Sequence, residues 1–142
     1  MSEERMPVEK ALQGYAAAVA AKDVEAFLRL YDPRVQVFDA WGRWEYAGLE
    51  AWRGMVTEWF GSLGGGRVDV GFSDVACFTG TGVAFGHAVA TYVGYSAEGE
   101  LLHTMTNRFS LGLEKTDTAW KIVHEHTSLP VDMASGAALF ER

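Results

Sequence analysis

Residues 82–95 read GVAFGHAVATYVGY, and their alternation decides the fold. Val83, Phe85, His87, Val89, Thr91, Val93 and Tyr95 fall on one side, and Gly82, Ala84, Gly86, Ala88, Ala90, Tyr92 and Gly94 on the other. A period of two sustained over so long a run is a β-strand. One face is bulky and the other nearly bare, and a bare face admits a helix or a ligand close to the backbone.

The segments around it extend the same pattern. Upstream, Val68, Val70 and Phe72 alternate with polar or small residues, and Thr79-Gly80-Thr81-Gly82 turns the chain into the long strand. Downstream, Ser96-Ala97-Glu98-Gly99 leads into a strand from Leu101 to Leu113, and EKTDTA leads into a last strand from Trp120 to Ser128. Three turns in succession predict a four-strand antiparallel meander.

Before Arg67 the period is helical. Val8, Leu12, Tyr15, Ala16 and Val19 predict a helix from about Pro7 to Lys22, with the proline suited to a first turn. Asp23 reads as the N-cap of a short second helix with Val24, Phe27, Leu28 and Tyr31 on its apolar side, stopped by Asp32-Pro33. Val35, Val37 and Asp39 share one side of a strand, and Ala40 to Arg43 turns into a second short one. Leu49, Trp52, Val56, Trp59, Phe60 and Leu63 predict a third helix, ended by Gly64-Gly65-Gly66. Helices first and a meander afterwards make an α+β domain with the helices on one sheet face.

Composition sets outer bounds. The 142 residues suit a single domain spanning 1–142, with a core over about 8–130 and a tail over 131–142 that packs as a short helix or onto a partner chain. Hydrophobic residues at 49% and charged residues at 22% are globular proportions. A net charge of −7 with only 12 Lys and Arg, and no basic stripe, disfavours nucleic acid. The single cysteine, Cys77, excludes an intrachain disulfide and reads as inert in its apolar strand. The charged start MSEERMPVEK lacks an apolar signal core, and no apolar run approaches the roughly 18–20 residues of a membrane span. The expectation is a cytoplasmic protein with no membrane partner.

This element order, with KDVEAFLRLYDPRVQVFDAWG near the start and NRFSL and WKIVHEHTSLP near the end, resembles the nuclear-transport-factor-like superfamily, and within it SnoaL-like proteins and ketosteroid isomerases. The resemblance covers roughly Val8 to Asp132. It implies a cone-shaped fold, three N-terminal helices packed on a strongly curved antiparallel sheet ending in the four-strand meander. The fold hosts isomerases, cyclases, hydrolases, dehydratases, association domains and non-catalytic binders. It implies that Tyr15 falls where ketosteroid isomerase carries its oxyanion-hole tyrosine, and Asp39 where it carries its proton-shuttling base. That enzyme's third element, a protonated acid used as a hydrogen-bond donor, belongs on the strand around 107–112, where Arg108 and Ser110 stand instead.

Several candidate site residues follow. Asp39 reads as a pocket carboxylate able to move a proton, or as a strand-end aspartate capping a turn. Tyr15 lies on the buried stripe of the first helix. Trp52, Val56 and Trp59 would wall an apolar pocket. Arg108, grouped with Leu102, Thr104, Thr106, Ser110 and Gly112, is expected to need an anionic partner: Asp39, Glu125 or a ligand carboxylate. On the last strand, alternation groups Trp120, Ile122, His124, His126 and Ser128, which keeps His126 among the pocket candidates. Overlay on ketosteroid isomerase instead puts Val123, Glu125 and Thr127 in the pocket and both histidines on the convex face, and this placement is preferred. A His-x-His pair such as His124 and His126 binds metal only where a third ligand converges, so no metal is expected.

The expectation is a small-molecule pocket, acting without a cofactor as an isomerase, cyclase or dehydratase, with Asp39 as proton shuttle and Tyr15 and Arg108 stabilising negative charge. The alternative is a binding or association domain with the same pocket. The expected ligand carries a polar or anionic group, and the convex sheet face is expected to pair two copies as a homodimer.

Overall fold

The computed structural model describes residues 5–142; residues 1–4, part of the charged start discussed above, lie outside the described residues. The chain forms three helices and a six-stranded sheet: α1 Met6–Ala21, α2 Val24–Leu28, β1 Tyr31–Phe38, β2 Tyr46–Ala47, α3 Leu49–Ser62, β3 Arg67–Thr79, β4 Val83–Tyr95, β5 Leu101–Lys115 and β6 Trp120–Ser128. The strand order is β2-β1-β6-β5-β4-β3. Strands β3 to β6 form the antiparallel meander. The sheet is not antiparallel throughout, because β1 inserts parallel to β6. The chain reaches β6 from the far end of the meander, so the first and last strands meet side by side.

The bare face of β4 is the inner one. Ala84, Ala88, Ala90 and Tyr92 are buried, whereas Val83 and Phe85 are 61% and 56% exposed on the outer face. Helix α1 packs mainly over β3 and reaches the bare face of β4 near its N-terminal end, and its buried Val8, Leu12, Tyr15 and Val19 recur at helical spacing. At Gly86 the approach is so close that a Cβ would stand 2.6 Å from Val8 Cγ1 and 2.7 Å from the Ala76 carbonyl oxygen. At its C-terminus Lys22 takes a left-handed conformation, φ 53°, and its Nζ donates to the Gly64 and Gly66 carbonyls at 2.8 and 2.6 Å. That bond ties the end of α1 to the glycine run that ends α3.

Asp23 caps α2 as its side chain predicts, accepting from Ala26 N at 3.0 Å. The helix is shorter than its apolar pattern, however. Tyr31 and Asp32-Pro33 begin β1 rather than ending α2. The proline sits where the β1–β6 register shifts, between Tyr31 opposite Ile122 and Gln36 opposite His124, a place that tolerates a missing N–H donor. Asp32 accepts there from Arg34 N and Arg34 Nε at 2.8 and 3.0 Å.

The tail forms neither a helix nor an extension away from the domain. Val131 bridges to Ala138, and Thr106 N donates to the Phe140 carbonyl at 3.0 Å, so residues 129–142 fold back across β5. Among the described residues, no helix is long and apolar enough to cross a membrane.

Candidate functional site

A cavity of about 800 Å³ opens between the inner sheet face, α1 and α3. Its size is that of a drug-sized ligand site. Helix α3 contributes Trp52, Met55 and Trp59 because these lie one helical turn apart on the face it turns to the sheet. Tyr15 enters from α1, Tyr92 from β4, Asn107 from β5, and Glu125 and Thr127 from β6. Asp39 and Trp41 come from the loop after β1, and Phe140 from the tail. Trp41 and Phe140 stack at 5.6 Å between ring centroids, 12° from parallel, and both remain nearly half exposed.

Glu125 is the deepest polar group, 1% exposed. It accepts from the Tyr31 hydroxyl at 2.5 Å. Burial pushes its carboxyl up to about 8; the Tyr31 bond pulls the other way, and the nearby Asp39 charge adds to the rise. At neutral pH Glu125 is therefore largely a neutral acid with a proton to donate. Burial also raises Asp39, opposed by Thr127 and by the Ala40 amide. Thr127 Oγ1 donates to Asp39 Oδ1 at 2.9 Å and accepts from Ala40 N at 2.9 Å, which fixes the loop carboxylate against β6.

The phenols behind them stay protonated. Tyr15 Oη and Tyr92 Oη are 3.0 Å apart, and burial holds both well above the usual tyrosine range. Tyr31 is raised in the same way, by burial first and then by the Glu125 charge. The Trp52 indole N–H leans towards the Tyr31 oxygen without reaching hydrogen-bond geometry, and Asn107 Oδ1 has no partner among the described residues. Two buried polar atoms beside the cavity are thus without a hydrogen-bond partner among the described residues.

The placement of the sequence candidates divides cleanly. Asp39, Tyr15, Trp52, Trp59, Glu125 and Thr127 line the cavity. Val56, fully buried, packs in the core behind it. Arg108 and Ser110 do not reach it: both are exposed on the outer sheet face, where Arg108 Nε donates to Ser128 Oγ at 3.0 Å. The reason is that the inner face of β5 is its apolar one, carrying Phe109, Leu111 and Leu113 together with Asn107. The small and polar residues that suggested a pocket wall are the outward ones. Asn107 and His103, which also lines the cavity, were legible as the polar residues in step with that apolar stripe.

On β6, both readings of the face hold for part of the strand. Leu113 pairs with Ile122 but Gly112 pairs with His124, so an extra residue at Val123 bulges out of register. Ile122 is inside before the bulge, and Glu125 and Thr127 are inside after it. His126 is exposed in a shallow depression with Phe38 and Arg43, outside the cavity, and His124 Nδ1 faces the Gln36 carbonyl at 2.7 Å. Among the described residues, no third His, Cys, Asp or Glu joins the two histidines around a common metal position. Cys77 is raised by burial, with Arg5 nearby acting in the opposite direction.

A helix-covered six-stranded sheet enclosing an aromatic cavity with buried acids defines an α+β pocket protein. The sequence profile of the SnoaL-like domain matches residues 8–132, and the chain belongs to that family. Solved structures agree on the fold. An NTF2-like protein of unknown function from Pseudomonas putida superposes with a TM-score of 0.83 at 20% identity, covering 95% of this chain and 92% of that one. Aln2 from a Streptomyces species gives 0.79 at 17% identity over 90% and 92%. An NTF2-like protein with a cystatin-like fold from Novosphingobium aromaticivorans gives 0.78 at 13% identity over 94% and 86%. At these identities the likeness is one of fold alone. The comparison with curated proteins gives no match.

Proposed function

We propose that the cavity binds a small molecule with an apolar ring body and moves a proton on it without a cofactor, Asp39 acting as the base and Glu125 as the acid. The observation that carries this reading is the pair itself. Two carboxyls share one cavity wall: burial raises both, Glu125 as far as about 8, while the Thr127 and Ala40 bonds to Asp39 oppose its rise and favour its charged form. Neighbouring carboxyls perturbed by burial but held by different partners are candidates for an acid–base pair. The Asp39 carboxylate would take a proton from the carbon beside a carbonyl. The electron pair would move to the carbonyl oxygen, steadied by the Glu125 proton, and Asp39 would return its proton at another carbon to complete an isomerisation.

The test is hydrogen–deuterium exchange in heavy water on a panel of cyclic enolisable ketones, followed by NMR. Wild-type protein should catalyse exchange at the carbon beside the carbonyl, and Asp39→Asn should slow it by about a hundredfold or more while ligand binding persists. Exchange undiminished in Asp39→Asn would remove the mechanism.

A second reading, an association module with the same pocket, draws on the outer sheet face. There Phe78 and Phe85 stack at 4.6 Å and are 48% and 56% exposed. Under this reading two copies pair through that face, light scattering gives a dimer, and Phe85→Glu gives a monomer. A monomeric wild type would sink it.

A further inference from the structure

The cavity wall carries more acids than bases. Asp39, Glu125 and the exposed Glu58 line it beside one histidine, His103, and among the described residues no lysine or arginine does. Arg108, the cation expected there, is engaged with Ser128 on the opposite face of the sheet. Arg43 stands 5.6 Å from the Tyr46 ring centroid and lines, with His126, an adjoining depression that shares Asp39 and Gly42 with the cavity. An anionic ligand group would therefore meet more carboxyls than bases, an imbalance that costs more as water is excluded.

A second feature points the same way. Asn107 is 5% exposed and lines the cavity, and its Oδ1 is an acceptor without a donor. A buried acceptor left unmade is costly, so a ligand N–H or O–H that reached it would be favoured. One oxygen of Glu125 is held by Tyr31 and one of Asp39 by Thr127, so both carboxyls are oriented before a ligand arrives. Trp41, Trp52 and Trp59 stand around them on the cavity wall. Indole faces attract cations.

We propose that the cavity takes an organic cation, an aromatic or alicyclic body carrying a protonated amine, with the carboxylates of Asp39 and Glu58 supplying the countercharge and Asn107 Oδ1 accepting an N–H. This rests on the reading of the cavity as the ligand site and names the class of ligand it selects. A cation beside Glu125 would also stabilise its ionised form, offsetting the burial that now opposes it.

Isothermal titration calorimetry with three probes of one shape tests the inference: naphthylethylamine, naphthylethanol and naphthylacetate. The amine should bind about tenfold or more tightly than the alcohol, and the acetate most weakly. In the double variant Glu58→Gln, Asp39→Asn the amine's advantage should fall to about twofold or less while the alcohol binds as before. An alcohol or acetate that binds as well as the amine overturns the cation but leaves the pocket reading intact. An amine advantage that survives the double variant overturns the role of these carboxylates and traces the preference to the acidic surface at large. Failure of all three probes to bind overturns both readings, whereas loss of ketone exchange alone bears only on the proposed chemistry.

Discussion

Glu125 is placed where an ionised carboxylate is least welcome, at 1% exposure among Tyr31, Tyr15 and Tyr92. Its carboxyl rises from an ordinary 4.5 to about 8 in the folded chain. In the unfolded chain it ionises near the ordinary value, so between those two pH values the folded state holds a proton that the unfolded state has released. Stability is then lost as pH rises, at about 1.4 kcal/mol per pH unit for a single group, and the loss ends above the folded value. Glu125→Gln removes that slope. Thermal melts of the two proteins should diverge steadily from about pH 5 to about pH 8, the variant becoming the more stable relative to wild type as pH rises. Parallel melting curves across that range would show that Glu125 ionises normally. Arg108 supplies the contrast. It is exposed and bonded to Ser128, so Arg108→Ala should change stability by no more than about 0.5 kcal/mol and leave probe affinity in calorimetry unchanged.

At the scale of elements, the contact of α1 with β4 depends on the absence of a side chain at Gly86. Gly86→Ala would drive a methyl into Val8 and the Ala76 carbonyl, and the backbone oxygen cannot swing aside as a side chain would. A loss of about 1–3 kcal/mol in urea denaturation is expected. Gly71→Ala on β3, where nothing lies within 4 Å of a Cβ, should be neutral within about 1 kcal/mol or slightly stabilising. Equal effects at the two positions would contradict the close approach. That approach was legible in the sequence because Gly82, Ala84, Gly86 and Ala88 leave one face of the strand bare. The helices and the meander were legible for the same reason: their periods differ. What periodicity could not supply was the extra residue at Val123, since a bulge leaves composition unchanged and only reverses the faces beyond it. The assignment of Arg108 failed on a related point. Small and polar residues alternate with large apolar ones along β5, and a pocket wall and a solvated surface share the first description.

At the scale of the whole molecule, two irregular segments join the ordered layers around the cavity. The loop after β1 brings Trp41, the tail brings Phe140, and their stacked, nearly half-exposed rings line it. The tail is held by the bond from Thr106 N to the Phe140 carbonyl, by Leu139 N to the Pro130 carbonyl at 2.9 Å, and by an exposed ion pair between Arg142 and Asp74. Exposed ion pairs contribute little, so the aromatic stack and the two backbone bonds do most to hold the tail in place. None of these groups belongs to the core formed by α1, α3 and the meander. Ligand passage should therefore be limited by the stack and stability by the core, and the two should respond to different substitutions. Phe140→Ala should speed both association and release of the naphthyl probes several-fold, to about tenfold, in stopped-flow fluorescence, while the melting temperature moves by no more than about 2–4 °C. Unchanged rates would mean that ligands reach Glu125 by another route, and that the Trp41–Phe140 stack packs the tail without guarding the cavity.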